Sequence, residues 1–146
     1  MLDPILSVDV LDHLVEIYKD QELDAIAGIE SRGFLFGYPL AMRLGLPFIL
    51  LRKKGKLPYK KITYEYHLEY GSAAIEMHID AIHPGQRVLI HDDLLATGGS
   101  AAAAAELIQQ CGGQVAGFNF LVSLDFLCGN EKLQAYSDKI VNLVRF

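Results

Sequence analysis

Between Asp24 and Val144, short apolar runs alternate with segments of helical periodicity, and several runs end in a loop rich in glycine or charge. Asp24-Ala25-Ile26-Ala27-Gly28-Ile29 is too short for a helix and is bounded by polar residues, so it reads as a buried strand. Gly33 to Leu44 reads as a helix closed by Gly45 and then Pro47, and Phe48 to Leu51 as a second buried strand. Arg87 to His91 is a third strand, and Ser100 to Gln110 an alanine-rich helix stopped by Gly112-Gly113. Val115 to Val122 and Lys139 to Val144 complete the series. Such alternation predicts an α/β fold, a mostly parallel sheet flanked by helices. Ahead of it, Leu6, Val10, Leu14 and Ile17 share one face of a helix from Ile5 to Lys19. Ile62 to Tyr70 and Ala74 to Ile79, with Gly71-Ser72 between, suit a hairpin arm. With no linker or repeat, the 146 residues read as one domain.

Folds of this kind bind ligands beyond the carboxyl ends of their strands. Three loops answer that description: Glu30-Ser31-Arg32-Gly33, Arg52-Lys53-Lys54-Gly55-Lys56, and Asp92-Asp93-Leu94-Leu95-Ala96-Thr97-Gly98-Gly99-Ser100. In the third, two glycines directly before a helix let the backbone approach a ligand, and their N–H groups can form an anion nest. The helix N-terminus and the hydroxyls of Thr97 and Ser100 add to it, which suits a phosphate monoester. No Lys follows the last glycine, so this is not a Walker loop. Asp92 and Asp93 stand just upstream. Two adjacent carboxylates at a buried strand end are costly unless something binds them, such as sugar hydroxyls or a Mg²⁺ shared with the ligand. Phosphate on one side and a diol on the other describe a ribose 5-phosphate. Arg32 and the run Arg52, Lys53, Lys54 and Lys56 could neutralise a second polyanion such as a pyrophosphate.

Charge and composition narrow the remaining classes. A net charge of −5 argues against nucleic acid, whose phosphates need clustered cations. No stretch approaches the ~20 apolar residues that span a bilayer. Asp3, Asp9, Asp12 and Glu16 are unlike a secretory signal. Cys111 and Cys128 form neither a CxxC pair nor a metal-spaced set and read as free thiols in a reducing compartment, so a cytoplasmic location is expected. His91, on a core strand, is read as a packed, hydrogen-bonded residue.

Val88 to Ser100 resembles the 5-phosphoribosyl-1-pyrophosphate (PRPP) motif of type I phosphoribosyltransferases: an apolar strand, two acids, then threonine-glycine-glycine. Four segments resemble the adenine phosphoribosyltransferase family in particular. They are Gly28 to Phe34, Arg52 to Pro58, Leu68-Glu69-Tyr70-Gly71, and Asp92 to Gly99, and the likeness runs from about Leu11 to the C-terminus. The resemblance implies the type I core with a flexible hairpin arm, a homodimer, and transfer of a phosphoribosyl group from PRPP to adenine with Mg²⁺, giving AMP and pyrophosphate. It implies that Asp92 and Asp93 hold the ribose hydroxyls, with Mg²⁺ nearby, and that Leu95, Ala96, Thr97, Gly98, Gly99 and Ser100 hold the 5-phosphate. Ser31, Arg32, Gly33, Arg52, Lys53 and Lys56 would face the pyrophosphate. Tyr64 to Gly71 would be a mobile loop closing over the site, with Glu69 and Tyr70 as its catalytic tip. Ser100 replaces the more usual threonine and keeps its hydroxyl. Family members usually carry a few tens of residues ahead of the first core helix that form much of the hood over the purine; this chain starts at about that helix. A phosphoribosyltransferase for another purine base and a non-catalytic PRPP- or nucleotide-binding protein remain open alternatives.

Overall fold

A computed structural model of the chain describes residues 3–67 and 71–146. Helix α1 spans Pro4–Tyr18, where Pro4 occupies the first turn and the Asp3 carboxylate caps it by accepting from the Ile5 and Leu6 amides at 2.9 and 3.3 Å. Strand β1, Ala25–Ile29, is buried along its whole length, as the apolar run requires. Helix α2, Gly33–Leu44, ends at the expected glycine: Gly45 is left-handed at φ 68°, and the Leu46 amide donates back to Ala41. After β2, Phe48–Lys53, come the arm strands β3, Lys61–His67, and β4, Ser72–His78. Then follow β5, Arg87–Leu95, helix α3, Gly99–Gln110, and β6, Gln114–Ser123. A 3₁₀ turn at Asp125–Leu127, a short helix α4 at Gly129–Leu133 and strand β7, Ile140–Arg145, complete the described order.

Seven described strands form one sheet in the order β3-β4-β2-β1-β5-β6-β7. The pairings β2–β1, β1–β5, β5–β6 and β6–β7 are parallel. The arm is a hairpin, as expected, and β4 also pairs antiparallel with β2 through Arg52–Glu76 and Lys53–Ile75. The hairpin therefore extends the main sheet at one edge.

Each face of the sheet has its own core. On one, Leu14 and Tyr18 of α1 and Phe36, Leu40 and Ala41 of α2 meet Ile26 and Leu89. On the other, Ala101, Ala103, Ala104, Ala105, Leu107 and Ile108 of α3 cover Ala27, Val88, Ile90, Phe118 and Phe120. The run of alanines lets α3 lie close to the strands without filling the layer with side-chain volume. Ile62, Tyr64 and Tyr66 of β3 pack against the same face, which brings the arm beside α3.

Two corrections to the sequence reading bear on function. Strand β5 does not stop at His91 but continues to Leu95, with Asp92, Leu94 and Leu95 opposite Phe120, Val122 and Ser123 of β6. The acid pair therefore stands on rigid strand, and only Ala96–Gly98 are loop. The turn and short helix between Asp125 and Leu133 had no counterpart in the sequence reading. The N-terminus of α4 closes on the loop after β5: a Cβ at Gly129 would lie 2.3 Å from the Ala96 carbonyl oxygen.

Phe118 is fully buried between β5, β6 and α3, whereas Phe126 is 72% exposed. Phe118→Ala should cost about 3–5 kcal/mol in urea unfolding, and Phe126→Ala should stay within about 0.5 kcal/mol of wild type. Equal effects would contradict the assigned core.

Candidate active site

The carboxyl ends of β1, β2 and β5 lie side by side because all three run parallel. The loops that follow them therefore line one edge of the sheet, as the sequence reading requires. Gly33 makes the first approach possible. It opens α2 directly on β5, where an added Cβ would lie 2.9 Å from the His91 carbonyl oxygen and 3.1 Å from Asp92 Oδ1. Arg32, one residue earlier, reaches across and its Nε donates to Asp93 Oδ2. The Asp93 carboxylate, beside the guanidinium, holds the Arg32 proton more tightly than usual.

Asp92 has a different environment. Its Oδ1 accepts the Asp93 backbone amide at 2.9 Å. Burial disfavours its charged form, and the neighbouring Asp93 charge adds to the effect, outweighing that hydrogen bond and Arg32. The Asp92 carboxyl therefore holds its proton well above the usual aspartate range. A hydroxyl or cation presented to it would stabilise the ionised form.

Beyond the acids, Ala96, Thr97, Gly98, Gly99 and Ser100 enclose a cleft of about 100 Å³, with Leu95 and Phe120 also lining it. Gly98 is left-handed at φ 77°, and its Cβ position would be 2.9 Å from the Gly129 carbonyl oxygen. Both constraints require glycine. The first amides of α3 have no acceptor within the helix and point into this turn. The Tyr66 hydroxyl lies 3.0 Å from Ser100 Oγ at the cleft edge.

The basic residues after β2 are organised by an acid. Glu30, which follows β1, accepts from the Lys53 amide at 2.8 Å, from Arg52 Nη2 at 3.2 Å and from Lys56 Nζ at 3.1 Å. Burial alone would raise its pKa, but the Lys53 amide and the two cations outweigh it and bring it down to about 2. Glu76, buried on β4, accepts the Gly55 amide at 3.0 Å and fixes the turn between Lys53 and Lys56. Ser31, Arg32, Gly33, Arg52, Lys53 and Lys56 thus converge on the same edge as Asp92, Asp93 and the cleft from Ala96 to Ser100. Glu69 and Tyr70 lie outside the described residues.

Sequence reasoning gave no individual role to Glu30 or Glu76, and placed Tyr66 only within the Tyr64 to Gly71 loop expected to close over the site; Tyr64 to His67 belong instead to strand β3. An acid between a buried strand end and a basic run hinted at Glu30. The other two depend on contacts between distant segments. His91 is packed as expected: it is fully buried, with Nδ1 2.6 Å from Asn119 Oδ1, and burial lowers its pKa to about 4.

The raised Asp92 pKa has a thermodynamic sign. The folded chain keeps this proton to higher pH than the unfolded chain, so stability falls as pH rises from the ordinary aspartate range towards neutrality. Ligand-free Asp92→Asn should therefore be more stable than wild type at pH 8, by about 1 kcal/mol, with the gain shrinking towards pH 4. Urea unfolding across that range is the check, and a difference independent of pH would contradict it.

Residues 4–144 match the phosphoribosyl transferase domain family. The chain is 47% identical over 144 residues to an adenine phosphoribosyltransferase of Cytophaga hutchinsonii, covering 99% of this chain and 80% of that protein. The crystal structure of adenine phosphoribosyltransferase from Rhodothermus marinus superimposes with a TM-score of 0.92 at 46% identity, covering 99% of this chain and 81% of that one. The Saccharomyces cerevisiae enzyme, crystallised with adenine and an imino-altritol bisphosphate, superimposes with a TM-score of 0.88 at 43% identity, covering 97% of this chain and 81% of that one. By sequence and by fold, this chain belongs to the phosphoribosyltransferase family, among the adenine phosphoribosyltransferases.

Proposed function

We propose that the chain acts in purine salvage, transferring the 5-phosphoribosyl group of PRPP to adenine to give AMP and pyrophosphate. The observation that carries this reading is the joining of two features at one sheet edge: a glycine-rich anion cleft and an acid pair whose Asp93 is bound by Arg32. A phosphate monoester suits the cleft, a vicinal diol suits the acid pair, and a polyanion suits the cations around Glu30. PRPP carries all three groups on one ribose. The kinship with enzymes named for adenine supports that base as the acceptor.

The residue chemistry fits a dissociative transfer. As the C1–oxygen bond to pyrophosphate breaks, positive charge gathers on the ribosyl ring and negative charge on the leaving group. Arg32, Arg52, Lys53 and Lys56 face the leaving group. Pyrophosphate oxygens would take over donors that Glu30 now occupies, so the cations are held in place before substrate arrives. Asp92 and Asp93 accept from the ribose hydroxyls and stabilise the cationic ring. The adenine nitrogen closes the bond to C1 as pyrophosphate leaves, and its N–H proton passes to an oxygen of the departing pyrophosphate. Water would attack the same carbon, so the site must close during the reaction. We assign this closure to the hairpin arm, whose strand β3 packs beside α3, and assign the catalytic roles there to Glu69 and Tyr70.

Mg²⁺ fits this donor set in one way. Among the described residues no cluster of three or more His, Cys, Asp or Glu could hold a metal, whereas Asp92 offers a poorly solvated carboxylate. Asp92 and Asp93 would therefore hold Mg²⁺ together with oxygens of PRPP, and the ion would neutralise charge on the pyrophosphate. Leu35, Tyr38 and Met42 form an exposed apolar stripe along α2, which supports a homodimer. Nucleic acid does not suit a chain of net charge −5. None of the described helices is long and apolar enough to cross a membrane. Two free cysteines suit a reducing, cytoplasmic setting.

The test is product formation from PRPP and Mg²⁺ with adenine, hypoxanthine and guanine in parallel. AMP from adenine alone is expected. Product from another base would move the specificity, and tight PRPP binding without any product would favour a binding protein. Glu69→Gln should lower kcat by about a hundredfold or more while leaving PRPP affinity within about threefold, in line with a charge used mainly in the transition state. Equal losses in both would remove Glu69 from the catalytic tip.

A further inference from the structure

Strand β3 touches both walls of the site through consecutive residues. Glu65 pairs with Lys54 Nζ at 2.8 Å on the side of the basic turn. Tyr66, which points to the opposite side of the strand, reaches Ser100 Oγ at 3.0 Å. The Tyr66 ring also lies along the first turn of α3: a Cβ at Gly99 would meet Cδ2 at 3.6 Å and Cε2 at 3.7 Å, ordinary van der Waals contact.

Hydrogen-bond accounting gives this contact a direction. A serine hydroxyl has one proton and two lone pairs. A phosphate dianion offers only acceptors. With phosphate in the cleft, Ser100 therefore donates its proton to the anion and turns its lone pairs outward. A lone pair is then free to accept from Tyr66, so the chain Tyr66 O–H to Ser100 O–H to phosphate leaves every group satisfied. Without phosphate, the Ser100 proton can point towards Tyr66 instead, and the pair has two competing arrangements. The anion removes one of them and strengthens the other.

We infer that Tyr66 is a positioning residue that couples occupancy of the 5-phosphate cleft to placement of the hairpin arm, so that only donors bearing a 5-phosphomonoester set the arm over the site. Tyr66 acts through Ser100 and does not touch the reacting atoms. The inference rests on the phosphate reading of the Ala96–Ser100 cleft proposed above, but not on adenine being the acceptor.

The test separates coupling from turnover. Amide hydrogen exchange in residues 61–67 is followed with saturating ribose 5-phosphate, and with ribose as control, in wild type, Tyr66→Phe, Ser100→Ala and Ser100→Thr. Ribose 5-phosphate should slow exchange in wild type and Ser100→Thr by about tenfold, the value of one hydrogen bond, and ribose should not. Tyr66→Phe, which keeps the ring against Gly99, and Ser100→Ala should lose the effect. In steady-state assays Tyr66→Phe should lower kcat about tenfold with the KM for PRPP changed less than about threefold, and adding Ser100→Ala should lower kcat no further. No slowing in wild type, full slowing in Tyr66→Phe, or independent multiplying losses in the double variant would overturn the inference. Slowing by ribose 5-phosphate in a protein that forms no AMP would support the coupling and count against the salvage reaction. AMP formation without any slowing would do the reverse.

Discussion

The site is organised by the placement of two carboxylates on the last residues of a central strand. Strand β5 is flanked on both sides and cannot expose its end to water without cost. Asp93 meets that cost with Arg32, whose guanidinium comes from the connection between β1 and α2. This ion pair links Asp93 to the neighbouring loop through a largely exposed guanidinium, and one residue on Gly33 lies against the β5 backbone. Asp92 is left with a single backbone amide and a carboxyl that resists ionisation. A ligand that brings hydroxyl donors or a cation stabilises the ionised form and offsets the cost of its burial.

The cationic side follows a different rule. Arg52 and Lys56 are anchored on Glu30, and the turn that carries them is fixed by Glu76. Long basic side chains lose considerable rotamer entropy when a ligand immobilises them. Holding them beforehand on an internal acid reduces that loss at binding. Arg32, in contrast, pairs with Asp93. The two halves of the site are adjacent in space and joined through Arg32, and each suits a different part of a phosphorylated, pyrophosphorylated ribose.

Much of this was legible from the chain itself, for identifiable reasons. Helix α2 was bounded correctly at both residues because Gly45 and Pro47 punctuate its end. The three loops were placed on one edge because strands that run parallel share one carboxyl edge. The reading of β5 stopped four residues early because Asp92-Asp93 interrupts the apolar pattern, although pairing with β6 continues through it. Helix α4 has five residues, too few for helical periodicity to register. The roles of Glu30, Glu76 and Tyr66 come from contacts across 13 to 34 residues of chain, and no local pattern encodes them.

The central claim is that burial and the Asp93 charge raise the Asp92 pKa in the free protein and that a ribose ligand lowers it again. Its most direct test is an NMR titration of the Asp92 carboxyl carbon in selectively labelled protein, without ligand and with saturating ribose 5-phosphate. The account predicts a midpoint well above the ordinary aspartate range in the free protein, and a fall towards that range when the ligand binds. A free-protein midpoint in the ordinary range, or a raised midpoint that the ligand leaves unmoved, would contradict it.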